Sequence, residues 1–171
     1  AGLTRGSRGA AAASAIRLAS YRMPARPATM AAHRSDFFYT HFAQQLAGEI
    51  AAKAGLNLSI PIVARVGATF QGTSYAETSV LSATGGYSGT PGKCVIVVSP
   101  AADALTGDDL GAVIAHEVWH CFEGTVTGLG RYWSPAAPAW VIEGESEWVG
   151  ASLYPGAPVD SDFWPSYLVT P

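Results

Sequence analysis

From Ser35 onward apolar residues recur at helical spacing, Phe37, Phe38, Phe42, Leu46 and Ile50, and the pattern ends at Gly55. This period predicts a packing helix with Ser35 or Asp36 as its cap. Strand-like runs follow at Leu58–Val66, around Thr78–Leu81 and at Cys94–Ser99, separated by Gly-rich connections such as residues 84–89. Thr106 stands three residues before Asp109, a capping-box arrangement that predicts a second helix running to about Phe122, where Gly124 can stop it. That helix is apolar nearly all round, so it is expected to be buried, with Leu110, Ile114, Val118 and Phe122 as its core face. A last helix is expected over Pro138–Leu153, with Pro135 and Pro138 near its start and Pro155 halting it. The order of elements predicts an α+β domain over residues 35–171, in which a small, mostly antiparallel sheet packs on the buried helix. Residues 1–34, rich in Ala, Gly and Arg, read as a poorly ordered basic arm ahead of it.

The 171 residues suit one domain, and 49% hydrophobic against 13% charged residues excludes a disordered chain. No apolar run is long enough for a membrane span. A net charge of -3 gives no case for nucleic-acid binding. The charge is unevenly placed, however: residues 101–150 hold eight acids against Arg131 alone, so a cation is expected in that half. Two cysteines are too few for an all-thiolate zinc site, so any metal must be bound by His and carboxylate. If the buried helix packs antiparallel along the strand that begins at Cys94, then Cys94 and Cys121 meet at the same end of the layer. A disulfide is therefore expected, and with it secretion into an oxidising compartment. The Ala10–Ala13 run is broken by Ser14 and Arg17 before it becomes a signal-peptide core.

The buried helix contains His116-Glu117-Val118-Trp119-His120, an H-E-x-x-H match. Residues four apart lie one turn along and about 40° around an α-helix, so both imidazoles can project toward one metal. Glu117 lies on the adjacent flank, where its carboxylate can reach a metal-bound water as a base without being a ligand. Ala112 and Val113 are small enough to leave room for a ligand. A third protein ligand is required. The metzincin arrangement needs Gly at 123 and a ligand at 126, and this chain has Glu123 and Val126. A Glu from the last helix is the alternative, and the segment Trp140-Val141-Ile142-Glu143-Gly144-Glu145-Ser146-Glu147-Trp148 supplies one.

These two segments together resemble the gluzincin zinc metallopeptidases, the superfamily of thermolysin and the aminopeptidase N-type enzymes, over roughly residues 94–153. The resemblance implies a zincin-like fold, zinc held by His116, His120 and Glu143, and Glu117 as general base. It also implies that Glu147 accepts a hydrogen bond from His116 and holds its tautomer. Ile142 stands where the family often has Asn, and Ser146 where it often has Ala. No histidine follows His120, so the oxyanion donor of thermolysin-like enzymes is missing; Tyr132 is the candidate replacement, with Tyr154 and Tyr167 behind it. Ser82–Thr90 is either a strand edge for a substrate backbone or a plain hairpin connection. The segment that anchors a substrate amino terminus in the aminopeptidase N-type branch has no match.

Glu123 and Glu145 read as surface acids, His33 and His41 as structural or exposed, and Trp119, Trp140 and Trp148 as core aromatics. The expected function is zinc-dependent hydrolysis of peptide bonds in a peptide or protein substrate. Two alternatives are a non-catalytic zinc-stabilised binding module and a zinc hydrolase of a non-peptide amide.

Overall fold

The structure, a computed structural model, describes residues 34–69, 74–132, 134 and 138–157. The expectations for residues 1–33, including His33, and for Pro135 and Tyr167 lie outside those residues. Helix α1 (Asp36–Ala54) is followed by strands β1 (Ile62–Val66), β2 (Ala76–Ser82) and β3 (Pro91–Val98), and then by a 3-10 turn at Pro100–Ala104. Helices α2 (Gly107–Thr127), α3 (Leu129–Tyr132) and α4 (Ala139–Leu153) complete the described chain. The result is a mixed architecture of helices on a small sheet, consistent with the α+β class.

The bounds of α1 follow from local chemistry. The Ser35 side chain accepts the amide of Phe38 at the N-terminus, and Gly55 closes the other end in the left-handed conformation (φ 67°). Its buried face is Tyr39, Ala43, Leu46, Ala47 and Ile50, so the expected Leu46 and Ile50 are in the core and Phe42 is partly buried against it, but Phe37 and Phe38 are exposed. Tyr39 turns inward because its hydroxyl finds a buried acceptor, Asp103 Oδ1, at 2.8 Å. Arg34 is docked on the same acid: its amide donates to Asp103, and its guanidinium reaches the carbonyls of Asp103 and Leu105.

The sheet has the order β1-β3-β2, with β3 antiparallel to β2 but parallel to β1, so the expected mostly antiparallel sheet is instead evenly mixed. The chain reverses twice between β1 and β3, and β3 inserts between its predecessors, which leaves β1 and β3 pointing the same way. Its inner face, Cys94, Ile96 and Val98, is fully buried, and it is flanked in register by Ile62, Ala64 and Val66 on one side and Val80, Thr78 and Ala76 on the other. Helix α1 covers the β1 side, where the Thr40 hydroxyl both accepts from and donates to the main chain of Ala64. Helix α2 covers β2.

Helix α2 is five residues longer than the pattern indicates. Thr106 is its N-cap without a side-chain capping bond, and the helix passes through Gly124 to end at Gly128, whose φ is 76°. Gly124 is there for space: a Cβ at this position would lie 2.6 Å from Val80 Cγ2. Helix α4 closes on the other flank of α2, so tightly that a Cβ on Gly150 would meet the carbonyl oxygen of Ala112 at 2.9 Å. The space expected beside Ala112 and Val113 is therefore filled by protein. The face of α4 turned to α2 is polar, carrying Glu143, Ser146 and Glu147, which leaves Trp140 and Trp148 exposed instead of in the core. A disulfide joins Cys94 of β3 to Cys121 of α2.

Candidate metal centre

His116 and His120 stand one turn apart on α2 with their rings at an interplanar angle of 80° and their Nε2 atoms 3.1 Å apart. Glu143 of α4 brings Oε2 to 3.3 Å from His116 Nε2 and 3.7 Å from His120 Nε2. One ligand atom from each residue lies within 4.8 Å of the other two, and all three residues are buried. Neither Glu143 oxygen has a hydrogen-bonding partner among the described residues, although the residue is 1% exposed. So deeply buried a carboxylate needs a positive partner, which the two adjacent imidazoles supply when protonated and a bound cation would supply in their place. Two imidazoles and a carboxylate are a donor set that suits zinc and also other divalent first-row metals.

Further polar groups stand behind each imidazole. His116 Nδ1 lies 3.5 Å from Glu147 Oε2, an ion-pair distance, and has no hydrogen-bond partner among the described residues, so the bond expected from Glu147 is not formed. His120 Nδ1 lies 2.7 Å from Glu123 Oε2 and 3.1 Å from the Ser146 hydroxyl. Glu123 is thus a buried member of the site, not a surface acid. Because α2 continues to Thr127, residue 123 is an interior position, and helical side chains lean back toward the preceding turn. The three-residue spacing from His120 was the available signal. Ser146, read only as a departure from Ala, is the second contact on that ring. Glu145 is exposed as expected.

Charge is concentrated here. Burial would depress the His116 pKa, but contacts with Glu143 and Glu147 outweigh it and lift it to about 9. Burial would raise Glu143, and the adjacent His120 and His116 hold it at about 2 instead. In the absence of a cation the cluster thus carries protons on its imidazoles beside an ionised Glu143. Burial pushes Glu117 upward, partly offset by the two histidines. Glu117 is held in place through its main chain, since the Thr78 hydroxyl of β2 donates to its carbonyl oxygen at 2.9 Å.

No protein-family model, curated protein or solved structure matches the chain. The gluzincin likeness therefore rests on the two motifs and on the cluster they form.

Tyr132, on α3, is buried with its ring centroid 6.4 Å from that of His120. Burial, and after it Glu123, Glu143 and Glu117, push its phenol well above the ordinary value, so it stays protonated. Tyr154 packs against Gly111, five residues before His116 and away from the cluster. His41 is exposed and stacks on Phe37. Residues 83–90 form the β2–β3 connection, closed by bonds from the Ser82 amide to the Gly86 carbonyl and from the Gly85 amide to the Ser82 carbonyl, so the hairpin alternative applies. Beside Tyr132 a cavity of about 380 Å³ opens between α2, α3 and α4, with Glu123, Arg131, Val141 and Ile142 among its walls.

Proposed function

We propose that this chain is a zinc-dependent hydrolase of peptide bonds, with His116, His120 and Glu143 as ligands and Glu117 as general base. The observation that supports it most is the convergence of the three donor atoms in a buried cluster, with a further buried carboxylate, Glu117, beside the first histidine and outside the ligand set. A site that holds zinc only for stability has no use for that additional acid. Zinc in such a site supplies Lewis acidity toward a water and a carbonyl oxygen.

The protein groups divide the remaining work. Glu117 accepts the proton of the attacking water and returns it to the leaving amine. Tyr132, kept protonated, is the donor proposed to steady the developing oxyanion. Glu147, 3.5 Å from His116 Nδ1, is the acid proposed to hold that ring when the metal is bound. Among the described residues no helix is long and apolar enough to cross a membrane, and together with the disulfide this favours an extracytoplasmic location.

The deciding experiment joins metal analysis to a casein-type assay, with and without chelator, on wild type and Glu117→Gln. The amide keeps the size of the side chain but cannot take the proton. Retained zinc with activity lower by about two orders of magnitude or more supports the reading. Equal inertness of both proteins on every peptide, with zinc bound, would replace it by the binding module or by a hydrolase of another amide. Assays on N-acyl and ester substrates separate those two.

A further inference from the structure

An imidazole offers Nε2 to a metal when its proton sits on Nδ1, and the acceptor at Nδ1 decides whether it does. At His120 two atoms compete for that proton, Glu123 Oε2 at 2.7 Å and Ser146 Oγ at 3.1 Å. The Ser146 hydroxyl spends its one hydrogen on the carbonyl of Ile142, 3.0 Å away in its own helix, and meets His120 only as a longer, neutral acceptor. The Glu123 contact has the short distance of a charge-assisted bond. Glu123 is 7% exposed, and its other oxygen, Oε1, is buried without a hydrogen-bonding partner among the described residues. The carboxylate is thus committed to His120, and a solubilising role at the end of a helix does not account for its depth.

We infer that Glu123 is a positioning residue of the metal centre, taking the Nδ1 proton of His120 so that Nε2 faces His116 Nε2 and Glu143. The inference rests on the metal-centre reading above and extends it to an acid outside the two motifs. The acids behind the two histidines come from different elements: Glu147 of α4 stands 3.5 Å from His116 Nδ1, and Glu123, three positions on in the same helix, stands 2.7 Å from His120 Nδ1. His120 is consequently set as α2 forms, whereas His116 waits for α4.

The test is titration of the full chain with Co²⁺, followed by visible absorption and by proton NMR of the exchangeable, hyperfine-shifted imidazole N–H signals. Wild type should show two such signals. Glu123→Ala should lose the His120 signal and bind Co²⁺ roughly ten- to a hundredfold more weakly. Glu123→Gln, whose side-chain carbonyl can still accept the N–H, should recover the signal and part of the affinity. A merely structural role would lower the melting temperature of Glu123→Ala while leaving both signals and the affinity within twofold of wild type, and that result overturns the inference. Should Glu123→Ala fail to fold, Ser146→Ala decides: loss of the His120 signal there assigns the proton to Ser146, and its retention supports Glu123. A wild type that binds no Co²⁺ removes both this inference and the metal centre. A wild type that binds Co²⁺ but cleaves no peptide removes only the proposed hydrolysis.

Discussion

The bridge between Cys94 and Cys121 closes a loop with a sequence separation of 27 residues. In the chain-entropy account, removing such a cross-link frees about 12 cal/mol/K in the unfolded chain, or about 3.5 kcal/mol at 25 °C. Unfolding entropy of about 2.1 cal/mol/K per residue over roughly 120 ordered residues gives about 0.25 kcal/mol/K. Replacing both cysteines by alanine, which leaves no buried hydroxyl, should therefore lower Tm by about 14 °C. The measurement is thermal and urea unfolding of the metal-free protein by circular dichroism, with a larger urea m-value expected because the unfolded chain is no longer tied. The same variant should bind zinc with unchanged affinity while folded, since the unfolded chain is what changes. A Tm shift below about 3 °C would refute the entropy argument. A more than tenfold loss of zinc affinity would refute it differently, by showing that the bridge holds Cys121, and His120 next to it, in position in the native state.

Two glycines in helices should respond to alanine with opposite sign. Gly48→Ala, with nothing within 4 Å of the new methyl group, should stabilise by about 0.5 to 1 kcal/mol, whereas Gly124→Ala should lose more to the clash with Val80 than it gains in helix propensity, a net cost of about 1 kcal/mol in urea unfolding. Burial, with Asp103 as its acceptor, raises the Tyr39 pKa to about 12. The stability gained by keeping this phenol neutral is complete below pH 10 and lost as pH rises through 12, so wild type should lose up to about 2 to 3 kcal/mol more than Tyr39→Phe over that range. With His116 lifted to about 9 and His120 raised as well, zinc must displace protons, and calorimetry at pH 7.5 in buffers of different ionisation enthalpy should find about two released per ion. No release would mean that both imidazoles are already neutral.

What could be read from the residues was what they decide locally. Ser35 and Gly55 bound α1 because a cap and a left-handed glycine act within one turn. The histidine spacing and the Glu143 segment were legible because a metal dictates ligand types at fixed intervals. The parallel pairing of β1 with β3 was not, since it depends on which strand occupies the middle of the sheet. Gly124 looks like a stop in the sequence because its contact, Val80, lies 44 positions away in the chain. The same kind of distance hid the outward placement of Trp140 and Trp148: the rule that aromatics face the core fails on a helix whose inward face is given to Glu143, Ser146 and Glu147.

The central place of β3 also governs when the molecule becomes complete during synthesis. Strands β1 and β2 emerge first but are not neighbours, so neither has a pairing partner until β3 arrives between them. Helix α2 follows with His116, Glu117 and His120, and Glu143 comes 23 residues after His120. At a translation rate of about 5 to 20 residues per second, the imidazole pair exists for about 1 to 5 s before its carboxylate has been made. On the proposed metal-centre reading, a cation captured in that interval would be held by one helix alone and still exchange, so secure loading would wait for α4 to dock.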